Sequence, residues 1–172
     1  MTTYVLLHGW GGDSQSNWFP SVRARLEARG HEVLVPSFPN TETPDYDEWA
    51  AHFSAEVLPH INSETIVAGH SLGCPFILRF ISENKIPVAE LHLVAPAPDD
   101  CGVAEIATFF TRDWDILWIR ETVKNIEIYG SDNDQFIPLE KFKLLDADFH
   151  AKFHFLPNRG HLNADTLPEL FP

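Results

Sequence analysis

A chain of 172 residues, 44% of them hydrophobic, can bury one real core and is too short for two ordinary domains, so residues 1–172 are read as a single globular domain. With 25 acidic against 12 basic residues the formal charge is −13, a field that repels phosphate backbones and anionic lipid surfaces. No nucleic acid and no membrane is expected as a partner.

The first apolar run, Tyr4 to Leu7, has the length of a strand. It reaches the turn His8-Gly9-Trp10-Gly11-Gly12 too early, and without a basic leader, for a signal peptide. Trp18 to Arg29 has helical periodicity, with Val22, Leu26 and Ala28 expected inward and Arg23, Arg25, Glu27 and Arg29 outward; Gly30 follows as a stop. Glu32 to Val35 is a second strand. Asp45, with Glu48 three positions on, reads as a capping box opening a helix through Trp49, Phe53 and Val57, which Pro59 ends. Thr65 to Ala68 is a third strand, and a helix is expected just after Ser71, through Phe76 to Ile81, with Pro75 in its opening turns.

Leu91 to Ala95, Ile126 to Tyr129 and Lys152 to Leu156 complete six short strands, β-branched or aromatic as buried parallel strands are. No run approaches the roughly 20 apolar residues of a membrane span. Two cysteines, Cys74 and Cys101, form neither a disulfide framework nor a zinc pattern, which points to reduced thiols and a cytoplasmic setting. Alternating strands and helices predict a doubly wound α/β fold with a mainly parallel sheet, whose ligands bind beyond the carboxyl ends of the strands.

Three of those ends carry chemistry. After the third strand, Gly69-His70-Ser71-Leu72-Gly73 has the G-x-S-x-G pattern of a nucleophile elbow between a strand and a helix. A serine that only caps the helix would read the same way over five residues, and the strand and helix around it favour the elbow. The Leu72 N–H is a candidate oxyanion donor. After the first strand, the Trp10 N–H is the candidate for the second, with Gly9 as the alternative.

A hydroxyl nucleophile needs a base, and among nine histidines His161 follows the last strand directly. His31, His52, His60 and His150 fall near helix ends or in solvent-facing stretches, and His92 and His154 lie within strands. His8 and His70 belong to the two turns and are expected to buttress them. For the acid that orients the base, Gly130-Ser131-Asp132-Asn133-Asp134 offers Asp132 and Asp134, of which Asp132 is also suited to shaping the turn. The order Ser, Asp, His is that of α/β-hydrolases.

With these residues in view, the chain resembles the α/β-hydrolase superfamily, and within it the family of small serine hydrolases that includes YdeN and retinoblastoma-binding protein 9. The likeness is carried by His8-Gly9-Trp10, Asn17-Trp18-Phe19-Pro20, Gly69 to Pro75, Phe110-Thr111-Arg112, Gly130 to Asp134 and Gly160-His161. It implies Ser71, Asp134 and His161 as the triad, with Asp134 to Pro138 as the acid loop, and a sheet in the order 2-1-3-4-5-6. The chain departs from the resemblance in its last residues, Leu167 to Pro172, where relatives have a longer final helix, so one sheet face is expected either to be thinly covered or to be covered by a partner. A retinoblastoma partner is not implied, because Leu72-Gly73-Cys74-Pro75-Phe76 lacks the Glu of the Leu-x-Cys-x-Glu motif.

These residues together lead to the expectation of a carboxylesterase-like serine hydrolase acting on a small ester or amide through an acyl-enzyme, with no metal or organic cofactor. The segment Pro96 to Asn125 leaves little room for a cap domain, and its Phe109, Phe110, Trp114 and Trp118 either wall an acyl pocket or pack in the core. Gly9, Phe110 and Trp114 are the candidate substrate contacts. The alternative is a catalytically weak protein of this fold serving as an interaction module.

Overall fold

The computed structural model describes residues 1–172 and contains six parallel strands in the order β2-β1-β3-β4-β5-β6. They are β1 (Thr3–Leu7), β2 (Glu32–Leu34), β3 (Ile66–His70), β4 (Glu90–Val94), β5 (Asn125–Gly130) and β6 (Lys152–Phe155). β1 pairs with β3 from Tyr4 opposite Ile66 to Leu7 opposite Gly69. The turn bearing Trp10 and the turn bearing Ser71 therefore leave the sheet side by side, at the switch point where strand order reverses.

The helices are α1 (Phe19–Ala28), α2 (Tyr46–Glu56), α3 (Gly73–Asn84), α4 (Ile116–Thr122) and α5 (Leu139–Phe149), with 3-10 turns at Leu58–His60 and Ala104–Phe110. α1 buries Phe19, Val22 and Leu26, but Ala28, expected inward, is exposed. Two positions beyond Leu26 is about 200° around a helix, which turns Ala28 to solvent. Arg25, expected outward, is half-buried because its guanidinium donates to the Leu170 carbonyl.

Asp45 caps α2 by accepting the Asp47 and Glu48 N–H groups at 2.9 and 3.2 Å. Only half of the expected capping box forms, since the Glu48 carboxylate takes the Asn40 amide instead. α3 is buried from Gly73 to Ser82, and the one charge in that stretch, Arg79, is paired with Glu83 at 2.9 Å. α4 and α5 are not among the expected helices, although Asp115 caps α4 by accepting the Trp118 N–H at 3.0 Å. The first spans only seven residues, and the second opens at Pro138 without a capping side chain.

The last residues turn back onto the sheet. Leu167 and Leu170 are buried, and the Phe171 ring packs edge-on against Tyr4 and His92 at 5.0 and 4.5 Å between centroids. Cys74 is buried, Cys101 is exposed, and both are free thiols. No helix is long and apolar enough to cross a membrane.

Candidate active site

β3 delivers the chain into Ser71 at φ +52°, a left-handed conformation that costs a non-glycine residue about 1 kcal/mol or more. The turn is tied down on both sides: Ser71 N–H donates to the Val94 carbonyl at 2.9 Å, and the Ser71 carbonyl accepts from Cys74 and Ala97 N–H groups. Close approach explains the flanking glycines. A Cβ on Gly73 would stand 2.5 Å from the Leu7 carbonyl oxygen and 2.7 Å from that of His8, so only glycine lets α3 start against the end of β1. A Cβ on Gly9 would stand 2.9 Å from Ser71 Cβ. Neither glycine has positive φ; crowding, rather than backbone freedom, selects them.

Trp10 and Leu72 flank Ser71 in one cavity, and neither backbone N–H makes a backbone hydrogen bond. The Trp10 indole donates to the Glu42 carbonyl at 2.9 Å, pinning that turn from outside. Leu72 is the residue from which α3 begins, so the positive end of the helix lies behind it.

His161 Nδ1 donates to Asp134 Oδ2 at 2.7 Å, with the carboxylate side chain wholly buried and the imidazole 7% exposed. Asp134 Oδ1 accepts from Phe136 and Ile137 N–H groups at 2.9 and 3.0 Å. Burial by itself raises the Asp134 pKa; the His161 hydrogen bond and charge and the two N–H donors outweigh it, leaving the carboxyl below its ordinary range. Asp132 does something else: its Oδ1 accepts the Asn158 N–H at 2.8 Å. Of the two carboxylates the structure brings Asp134 to His161.

The loop after β5 is stitched to the loop after β6 by neighbouring side chains that no motif in the sequence marks. Ser131 Oγ accepts the Arg159 N–H at 3.0 Å and donates to Asn133 Oδ1 at 2.8 Å, and Asn133 Oδ1 also accepts the Gly160 N–H at 2.7 Å. His70 adds a further tie. Its Nε2–H donates to the His161 carbonyl at 2.9 Å, and burial, with the neighbouring His161, pushes its pKa down to about 4, so it is a neutral donor. His8 is also buried: its Nε2 accepts the Phe38 N–H at 3.0 Å, which leaves Nδ1–H to donate to the Gly9 carbonyl.

The cavity between these turns has a volume of about 380 Å³. Its lining includes Gly9, Trp10, Ser71, Leu72 and His161, and contains no Asp, Glu, Lys or Arg. Phe110 and Trp114, expected to touch substrate, are not part of it and pack partly buried against the core. In a 3-10 turn, residues three apart share a face, so Ile106 and Phe109 turn inward together and Phe110 turns elsewhere. Cys101, Val103 and Ile106 supply the apolar wall from that segment instead, with Phe136 and Ile137 from the loop after β5. Asn17 and Asn163 add amides to the lining. Phe136, 60% exposed, meets the His161 ring edge-on at 4.9 Å. No three His, Cys, Asp or Glu side chains converge as metal ligands would.

A family model described as serine hydrolase matches residues 4–169. The chain belongs to the serine hydrolase family. It is similar to the putative hydrolase YdeN of Bacillus subtilis, 28% identical over 96% of this chain and 88% of that protein. It is also similar to the serine hydrolase RBBP9 of Rattus norvegicus, 27% identical over 98% of this chain and 91% of the relative. The crystal structure of the B. subtilis ydeN product superposes with a TM-score of 0.89 at 26% identity, covering 99% of this chain and 94% of that one. Sheet order and these likenesses make the fold that of an α/β-hydrolase.

Proposed function

We propose that this serine hydrolase cleaves small, uncharged carboxylic esters or amides through a Ser71–His161–Asp134 triad, with residues 1–172 acting as one catalytic domain. The observation that carries the proposal is the fully buried Asp134 carboxylate 2.7 Å from His161 Nδ1, at the cavity that Ser71 also lines. With Nδ1–H committed to Asp134, the Nε2 of His161 is left as the base.

Ser71 Oγ attacks the carbonyl carbon and gives its proton to His161 Nε2. The oxyanion is received by the Trp10 and Leu72 N–H groups, each such donor being worth about 3 kcal/mol of barrier. The imidazolium, stabilised by Asp134, returns the proton to the leaving alcohol or amine as the acyl-enzyme forms. Water then attacks the acyl carbon as His161 takes its proton; the bond to Ser71 Oγ breaks, Oγ takes that proton back from the imidazolium, and the carboxylic acid leaves.

The small cavity and its apolar wall of Val103, Ile106 and Phe136 favour short acyl groups, and the absence of charged lining residues favours neutral ones. Labelling by a fluorophosphonate, compared between wild type and Ser71→Ala, tests the assignment. Wild type is expected to label and Ser71→Ala not to; equal labelling of both removes Ser71 from the mechanism. Among p-nitrophenyl esters, short chains are expected to be preferred to long ones.

A further inference from the structure

The segment that presents His161 contains two non-glycine residues in the left-handed region, Asn158 at φ +59° and Leu162 at φ +55°. It follows β6, an edge strand, and forms no helix or strand of its own. A turn with such a backbone keeps its shape only where its surroundings hold it. Here the N–H groups of the two residues immediately before His161 are both taken by side chains of the loop after β5, Arg159 by Ser131 and Gly160 by Asn133. Ser131 is buried and is hydrogen-bonded to Asn133, so the two acceptors form one unit.

We propose that Ser131 and Asn133 are positioning residues for His161: by fixing the backbone on its N-terminal side they hold the imidazole against Asp134 and at the cavity beside Ser71. This rests on the reading of His161 as the base. Asp132 has a lesser part, because its bond reaches Asn158, three residues from His161. The device also links acid and base through one short stretch, since Ser131, Asn133 and Asp134 all hold the loop that carries His161.

The test uses Ser131→Ala, Asn133→Leu and Asn133→Asp in the full chain. It reads kcat and KM on a short p-nitrophenyl ester, the pH profile of kcat/KM, and the downfield proton resonance of the His161–Asp134 hydrogen bond. Ser131→Ala and Asn133→Leu are expected to lower kcat by about 10- to 100-fold at unchanged KM and to weaken the resonance. Asn133→Asp keeps the acceptor, so kcat stays within about threefold, while the added carboxylate favours the imidazolium and moves the acidic limb to higher pH.

Residues that merely stabilise the fold would lower the melting temperature and leave kcat, resonance and pH profile of the folded protein unchanged; that pattern overturns the proposal. If Ser131→Ala does not fold, Asn133→Leu at its exposed position decides alone. The resonance separates the two levels of inference. A wild type that does not label at Ser71 defeats the proposed function, whereas a resonance lost in Asn133→Leu still supports the positioning role.

Discussion

Ser71 and the loop of His161 both hold left-handed residues, Ser71 at φ +52° and Asn158 and Leu162 at +59° and +55°, yet they are held by different means. The elbow is tied by its own backbone hydrogen bonds and locked by packing: Gly73 lies against the Leu7 and His8 carbonyls, and α3 behind it is buried from Gly73 to Ser82. The loop of His161 hangs on polar contacts from Ser131, Asp132, Asn133 and Asp134, two of them at the surface. A shape set by close packing is costly to disturb and fails as a whole, while one set by several modest hydrogen bonds degrades by steps. His70 joins the two, since it belongs to the elbow sequence and donates to the His161 carbonyl.

The largest effect is expected where the loop of His161 meets Asp134. Asp134→Asn should lower kcat roughly 10³- to 10⁴-fold, read from steady-state kinetics, because an amide no longer fixes the tautomer or supports the imidazolium. The elbow should answer in stability. Gly73→Ala drives a methyl into two carbonyl oxygens of β1, and urea unfolding is expected to report a loss of about 3 kcal/mol. A loss near zero would mean that α3 is free to shift, and the contrast between the two turns would collapse.

His70 gives the comparison a pH dependence. Its pKa of about 4 in the folded protein lies below the ordinary 6.5, so between these values the unfolded chain binds more protons. Stability from this group is complete above pH 6.5 and is lost as pH falls towards 4, by roughly 3 kcal/mol in all. His70→Gln retains a donor but does not titrate, and should flatten the stability profile across that window. The smallest effect belongs to Asp132→Ala, which removes one exposed rung of the loop of His161 and should cost about 1 kcal/mol or less with kcat nearly intact.

These two regions were also unequally legible in the sequence. Gly69-His70-Ser71-Leu72-Gly73 could be read because packing demands glycines at fixed spacing between an apolar strand and an apolar helix, and such demands are local. All six strands and the helices from Phe19, Tyr46 and Gly73 were marked by the same kind of pattern. The ties of Ser131 to Arg159 and Asn133 to Gly160 were not legible, since they join loops 28 and 27 residues apart and use side chains common in any turn. Asp132 and Asp134 could not be separated by residue type alone; the buried contact with His161 distinguishes them. Phe110 and Trp114 lie outside the cavity because aromatic content marks apolar surface without giving its direction, and in the 3-10 turn it is the pitch that turns Ile106 and Phe109 inward and Phe110 elsewhere.

Acid-quenched mass spectrometry during turnover of a short activated ester tests the central claim most directly. The account predicts a mass increase equal to one acyl group, carried by the peptide that contains Ser71 and absent from Ser71→Ala. Turnover in Ser71→Ala at the wild-type rate, or an acyl group found only on another residue, would contradict it.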